Sequence, residues 1–416
     1  MKQIVEKEKC TGCGVCAAVC PKEAITMKMD KSGFYYPVID NDVCIECGKC
    51  QRSCHCYIKR TKDNVYNKNK YYAVAAKTDK DLMSVSSGGV FFKIAEQFIV
   101  NGNIVYGAMQ EGVGEVTHVR ADSIESVKKL RRSKYLQSKT TDIWKQVQQD
   151  LETGKKVLFS GVGCQIAALY AFLGKDYPNL YTCEVICHGI PSYSVFEQYL
   201  KETKEGLGKE VREICFRDKR LGWKNNQISM KTDGGKDIVC ASGIHPFHKG
   251  YLKGYYSREC CANCQYANLE RNADIVLADF WKYAGEKLGA YKKKGISLVC
   301  CRTNKADELL RKIENQVMQE EVGEEEAIKS CRHLTHTPKQ RKRKLFFELY
   351  EKSGFFIAQW LCEKPRAVQK LFLHIVENQV YRRAIQKKLA RKQIGVSMKI
   401  QSKYRKRLED FVKKYK

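Results

Sequence analysis

The sequence predicts an α/β chain, α+β overall. A small cysteine-rich module comes first, an α/β body follows, and a basic helical extension closes the chain. Three observations carry this reading. Two runs of four closely spaced cysteines fall between Cys10 and Cys54. Short apolar strands alternate with helix-period segments from about Tyr71 to about Ile186. The last 81 residues, 336–416, hold 23 Lys+Arg against 6 Asp+Glu, or +17 of a formal net charge of +28. With 416 residues, 43% hydrophobic and 29% charged, the chain is long and apolar enough for several packed domains, which excludes disorder.

The 21 cysteines leave two broad classes, a disulfide-rich secreted chain or a thiolate metal protein. The opening Met1–Cys10 segment has no apolar signal region. No window approaches the roughly 18–20 apolar residues of a membrane span. Phe355–Cys362, the longest apolar stretch near the end, is too short. The expectation is a cytoplasmic protein, with a peripheral membrane contact still compatible.

In the first module, Cys10-x2-Cys13-x2-Cys16-x3-Cys20-Pro21 is followed by Cys44-x2-Cys47-x2-Cys50-x3-Cys54. This is the spacing of a two-cluster bacterial ferredoxin, given twice. Three thiolates on one tight loop cover three corners of a [4Fe–4S] cube, and the fourth comes from the other repeat. One cluster is therefore expected on Cys10, Cys13, Cys16 and Cys54, the other on Cys44, Cys47, Cys50 and Cys20. Zinc fits less well, because it has no use for the third and fourth cysteine of each run. Gly12, Gly14 and Gly48 let the loops wrap a cluster. His55 follows Cys54 where the first repeat has proline, and Cys56 is an extra thiol. Gly33–Val38 reads as a short strand or hairpin. Such a module moves single electrons and breaks no substrate bond.

Residues 59–70 are polar and charged and read as a linker. The expected elements then run in order: strand 71–76, helix 90–100 behind Ser86-Ser87-Gly88-Gly89, strand 103–108 and strand 117–120. Helix 123–131 follows with Ser123 as cap, then helix 141–153, strand 156–160, helix 165–173 and strand 180–186. The alternation implies a largely parallel sheet. Beyond Phe216 the pattern is α+β. Ser160–Gln165 lies between a strand and a helix, but it is not a dinucleotide fingerprint, since Ile166 stands where a third glycine would be.

The basicity belongs mainly to the end of the chain. Val368, Leu371, Phe372, Ile375, Val376 and Val380 fall at helical spacing among Lys and Arg. A basic amphipathic helix suits a membrane surface or an acidic partner, or it is a solvated extension packed on the body. No nucleic acid is expected, because no recognition motif accompanies the charge.

Several segments, in order, resemble the coenzyme F420 hydrogenase/dehydrogenase beta subunit family, from about Tyr71 to about Thr337. They are Ser87-Gly88-Gly89-Val90, Ser133–Ser138, Gly161–Ile166, Cys187–Ser192, Phe216–Lys219 with Gly222-Trp223, and Cys261-x2-Cys264 with Ala273-Asp274-Ile275 and Asp279-Phe280-Trp281. Gly163 stands where the family has proline, and Ala278 where it has glycine. A ferredoxin module in front is a common arrangement in such proteins. The resemblance divides the chain into a ferredoxin-type domain 1–58, the linker 59–70, the N-terminal region of the beta subunit 71–140, its C-terminal domain 141–337 and a basic tail 338–416.

The resemblance implies a flavin, usually FAD, in the α/β part, with Ser87, Gly88, Gly89, Lys134, Gln137 and Ser138 against it. It also implies a third [4Fe–4S] cluster on Cys164, Cys187, Cys261 and Cys264, with Cys260 a local competitor. A flavin beside a cluster converts two-electron to one-electron chemistry. The implied function is an iron–sulfur flavoprotein oxidoreductase that exchanges hydride with coenzyme F420 or another conjugated substrate. It would be served by a redox partner protein or small electron carrier. The alternative is a non-catalytic electron-transfer subunit docked on a partner, one setting being the membrane surface in a polysaccharide pathway. No separate catalytic residue is implied, and His188 reads as structural. Cys183, Cys215, Cys240, Cys300, Cys301, Cys331 and Cys362 read as small buried hydrophobes.

Overall fold

The computed structural model describes residues 3–58, 65–66, 68–377 and 379–403. Most of the expected linker, at 59–64 and 67, and the end of the tail, at 404–416, lie outside the described residues, as does the side chain of Leu371. Thirteen strands are described. They are β1 (Ile25–Met29), β2 (Tyr35–Ile39), β3 (Lys70–Ala76), β4 (Ile104–Glu111), β5 (Glu115–Ala121), β6 (Val157–Gly161), β7 (Leu180–Val185), β8 (Val211–Asp218), β9 (Gln227–Thr232), β10 (Asp237–Ala241), β11 (Ile275–Asp279), β12 (Ser297–Cys301) and β13 (Val317–Val322).

The body is an eight-stranded sheet in the order β13-β3-β12-β11-β7-β6-β4-β5. Its four middle strands β11, β7, β6 and β4 are parallel. The flanks are antiparallel, so the sheet is mixed rather than largely parallel. The reason is local: β4 and β5 are joined by a short turn, which allows only an antiparallel return. Alternation along β6 fills both faces. Val157 and Phe159 point into one apolar core with Trp144 and Ile166, while Leu158 points into another with Phe92, Phe98 and Leu309. Helices cover both faces, as parallel strands require.

Helix Val90–Val100 has the expected bounds, and Ser123 caps helix Ile124–Lys129 through the Ser126 N–H. A second, antiparallel sheet β10-β9-β8 lies apart from the first and accounts for the irregular pattern after Phe216. Its core includes Tyr199, Phe216, Phe247 and Tyr256, and also Phe346, Leu349, Phe355 and Phe356 from the basic end. The first part of that end is therefore integral to a core. Helix Phe355–Leu361 is buried because all but one of its residues are apolar; the exception, Gln359, donates to the Pro246 carbonyl at 2.8 Å, and the Glu202 carboxylate accepts from the N–H groups of Phe355 (2.8 Å) and Phe356 (3.0 Å) at its start. In the last two helices, Val376 is buried while Val368, Ile375 and Val380 are exposed. Among the described residues no helix is long and apolar enough to cross a membrane.

The front module is a β1–β2 hairpin flanked by two one-turn helices, each entered through a left-handed glycine, Gly14 or Gly48. Val15 and Val19 join the core of the large sheet, and this fixes the module on the body.

Candidate functional site

The thiols of the front module fall into two groups. Cys10, Cys13, Cys16 and Cys54 lie close enough for each charge to disfavour the next. Cys20, Cys44, Cys47 and Cys50 line one recess with Pro21, Ile25 and Ile39. These are the two crossed sets that the spacing suggests. Burial pushes the Cys13 thiol up to about 12, so a cluster entering there must displace protons. Among the described residues no three His, Cys, Asp or Glu side chains are drawn together tightly enough for a single metal ion. An iron–sulfur cube is larger than an ion and needs its thiolates further apart.

The body grips the first loop by its backbone. Gln137 Nε2 donates to the carbonyls of Thr11 (2.9 Å) and Gly12 (3.2 Å). Thr140 Oγ1 and Trp144 Nε1 both donate to the Cys13 carbonyl, at 2.8 and 3.1 Å. Arg258 Nε donates to the Cys10 carbonyl at 2.8 Å. The loop carbonyls are thus paired without help from solvent.

A third group of thiols lies beside the first. Cys164 sits in the first turn of helix Gly163–Leu173, and its neighbours in charge are Cys264, Cys187, Cys260 and then Cys13. The positive end of that helix favours an anionic group there. The Gly189 N–H donates to Cys187 Sγ at 3.2 Å, the kind of bond a ligating thiolate accepts. Burial pushes the Cys187 thiol up to about 12. Cys260 interacts with Cys164, Cys264 and Cys10, whereas Cys261 packs against Gly189. The pair Cys260 and Cys261 therefore offers two ways to complete the set. Of the thiols read as core hydrophobes, Cys183, Cys240, Cys300, Cys301 and Cys362 are buried, and Cys215 and Cys331 are half-buried.

The six residues expected against a flavin are already engaged with protein. Lys134 Nζ donates to three carbonyls, Ala108 (2.8 Å), Leu130 (2.9 Å) and Arg131 (2.7 Å), which uses every proton of the ammonium. Gln137 grips the first cysteine loop, and Ser138 bridges His118 (2.7 Å) and Gln165 (2.9 Å). Ser87 Oγ donates to the Ile296 carbonyl at 2.8 Å. A Cβ at Gly88 would stand 2.2 Å from the Val74 carbonyl oxygen, so this glycine admits neighbouring backbone and presents no open cradle. Gly89, at φ +88°, starts helix Val90–Val100. The side-chain donors of Ser87, Lys134, Gln137 and Ser138 are spent on protein and Gly88 is filled by backbone, so these five do not fit a flavin cradle as they stand, whereas Gly89 has only ordinary contacts at 3.4 Å.

Nearby polar groups are less committed. Among the described residues, neither ring nitrogen of the buried His248 nor the indole N–H of the buried Trp223 meets a partner at hydrogen-bond geometry, the Ser242 backbone being the polar group beside His248. His248 meets the Tyr135 ring at 4.7 Å, and Trp223 stacks on Trp281 at 4.3 Å. Arg217 lies between them. It pairs with Asp279 at 2.7 Å, reaches Tyr135 Oη at 3.3 Å and lies over the Trp281 ring. His188 bonds His333 Nε2 at 2.6 Å. The resemblance did not single out Arg258, Tyr135, His248 or Tyr266. Only Tyr135 and Tyr266 lay inside or beside its motifs.

Residues 154–326 match the family described as the C terminus of the coenzyme F420 hydrogenase/dehydrogenase beta subunit, and residues 9–58 match the 4Fe-4S dicluster domain. The F subunit of F(420)H(2) dehydrogenase from Methanosarcina mazei is 26% identical over 176 residues, 40% of this chain and 49% of that protein. An uncharacterized ferredoxin of Methanocaldococcus jannaschii is 43% identical over 51 residues, 12% of this chain and 65% of that protein. An iron-sulfur subunit of the CoB–CoM heterodisulfide reductase of the same organism is 39% identical over 64 residues, 12% of this chain and 10% of that protein. The chain thus spans less than two thirds of the length of each of these relatives. A chain from the F420-reducing [NiFe] hydrogenase complex of Methanosarcina barkeri superposes with a TM-score of 0.45 at 17% identity, covering 71% of this chain and 96% of that one.

Proposed function

We propose, from the premise that this chain carries the C-terminal domain of the coenzyme F420 hydrogenase/dehydrogenase beta subunit behind a 4Fe-4S dicluster domain, that it passes single electrons through three [4Fe–4S] clusters in line. One observation carries the reading: Cys164 is buried within charge-interaction range of Cys264, Cys187 and Cys260 on its own site and of Cys13 in the front module. Cys20, Cys44, Cys47 and Cys50 would hold the outermost cluster, where Cys47 is exposed. Cys10, Cys13, Cys16 and Cys54 would hold the middle one. Cys164, Cys187, Cys264 and one of Cys260 and Cys261 would hold the innermost.

The rest of the chain holds this line still. Gln137, Thr140 and Trp144 fix the middle loop by its carbonyls, so its distance to the inner site does not fluctuate with solvent. Burial of the inner thiols excludes water and strengthens charge interactions between sites.

A second reading adds a flavin, which when bound would exchange two electrons with a conjugated substrate and one at a time with a cluster. The buried, unpartnered nitrogens of His248 and Trp223, on either side of Arg217, favour it, since a bound heterocycle would satisfy them. Of the residues expected against a flavin, the Ser87 turn lies nearest this region, since Arg217 donates to the Ser86 carbonyl at 2.9 Å and Lys219 to the Ser87 carbonyl at 2.6 Å. A coenzyme F420-like substrate belongs to this second reading.

Anaerobic purification with iron, acid-labile sulfide and released-flavin analysis on one sample tests both. About twelve iron per chain is expected for three cubes, and about eight would remove the inner cluster. One flavin per chain would support the second reading, and none after reconstitution would end it.

A further inference from the structure

Arg258 is a buried cation held against a cysteine loop. It is fully buried, in the turn that leads to Cys260 and Cys261. Its backbone is fixed at both ends: its N–H donates to the Ile190 carbonyl at 2.7 Å, and its carbonyl accepts from Gln340 at 2.7 Å. The guanidinium is fully directed. Nε donates to the Cys10 carbonyl at 2.8 Å. One terminal nitrogen donates to the Tyr35 carbonyl at 2.8 Å and lies 3.8 Å from Cys10 Sγ. The other meets Gln137 Oε1 at 3.3 Å. The Tyr36 ring covers its face at 4.3 Å.

Gly12 makes this approach feasible. A Cβ there would stand 2.8 Å from an Arg258 terminal nitrogen, on a residue with φ +70°. The groups nearest in charge to Arg258 are the Cys10 thiol, Tyr36 and the thiols of Cys260 and Cys261. Among the described residues no carboxylate forms an ion pair with it. A buried charge is costly unless an opposite charge compensates it. Loaded clusters are anionic, and they supply that opposite charge.

We propose that Arg258 raises the reduction potential of the cluster held by Cys10, Cys13, Cys16 and Cys54 above that of the cluster held by Cys20, Cys44, Cys47 and Cys50. The inference rests on the iron–sulfur reading above. Reduction adds one negative charge to a cluster, and a fixed cation in a water-excluded site stabilises that charge. Among the described residues the cations beside the outer set are Lys22, which lines its recess, and Arg52, which donates to the Cys47 carbonyl at 2.8 Å; both are exposed, where solvent screens them. With both clusters loaded, an electron on the outer one would then move inward, oxidising that cluster and reducing the middle one, with no proton exchanged.

The test is an EPR-monitored redox titration of the full anaerobic chain, with iron and sulfide measured on the same sample. Cys47→Ser identifies the outer signal by its loss. In Arg258→Gln the middle cluster is expected to move to lower potential while the outer stays in place. Arg258→Lys, which keeps the charge, is expected to fall less. Where Arg258→Gln loads poorly, Gln137→Glu sets a carboxylate 3.3 Å from the guanidinium and should also lower the middle potential; it gives up the Gln137 bonds to Thr11 and Gly12, so it is read only in samples with wild-type iron content. Loaded variants whose middle potential is unchanged overturn the inference, as does an equal fall in the Lys and Gln variants. A wild-type chain without iron would instead overturn the cluster reading itself.

Discussion

The phenol of Tyr266 hydrogen-bonds the imidazole of His55 at 2.5 Å, across 211 residues of sequence. His55 also meets Thr11 Oγ1 at 2.9 Å, so the contact joins the turn after Cys54 to the Cys10 loop and to the turn after Cys264. Behind the Tyr266 ring lies Gly163, where a Cβ would stand 2.8 Å from Tyr266 Cβ and 2.9 Å from Glu184 Oε1. Two departures from the usual motifs, His55 and Gly163 in place of proline, thus meet on one tyrosine. A larger residue at 163 would displace the ring that His55 holds.

Gly163→Ala should destabilise the chain by about 1–3 kcal/mol through overpacking. Denaturant unfolding checks it. Adding Tyr266→Ala should recover part of the loss, because the clash partner is gone. A Gly163→Ala variant as stable as wild type would contradict the packing account.

Stability should fall in acid through His118. Its Nε2 reaches the Ser160 carbonyl at 2.8 Å and its Nδ1 the Ser138 hydroxyl, a network that fits the neutral ring. Burial lowers its pKa to about 4 from 6.5. Between those values the unfolded chain binds the proton and the folded chain does not. Its contribution is therefore complete above about pH 6.5 and lost as the pH falls toward about 4, by about 3 kcal/mol at the limit. Unfolding at pH 7 and pH 5 should show a smaller pH effect in His118→Gln than in wild type. An equal effect would rule His118 out.

Lys134→Met should cost about 2–4 kcal/mol, because three partly buried carbonyls lose their donor at once. If flavin is present, its stoichiometry in the refolded variant should match wild type. Loss of flavin without loss of stability would return Lys134 to a ligand role.

The basic end divides into a structural part and a surface part. Deleting 339–416 should prevent folding, since Phe346, Phe355 and Phe356 leave the core. The membrane or acidic-partner expectation is better tested by Arg383→Glu, Lys387→Glu and Lys388→Glu together, all on the exposed side of helix Gln379–Lys403. That variant should keep wild-type stability and lose sedimentation with anionic liposomes. Unchanged sedimentation would remove this helix from the membrane reading.

Much of this architecture is visible in the residues. Spacing alone groups Cys10, Cys13, Cys16 and Cys54, because four ligands of a cube must come from loops of fixed length. Period alone finds helix Val90–Val100 and strand β6. The mixed sheet was less legible, because strand direction depends on connections that leave no periodic signal. The protein contacts of Lys134 and Gln137 were not legible, since a motif does not say what a residue touches. Arg258 carried no local signal at all: its partners Cys10 and Tyr35 lie more than 220 residues away in sequence.

Iron stoichiometry in Cys164→Ser tests the central claim most directly. Cys164 is the thiol that links the inner group to Cys13. The account predicts a fall from about twelve to about eight iron per chain, with the two front-module signals kept in the EPR spectrum. Wild-type iron content in a folded Cys164→Ser chain would contradict a third cluster at this site.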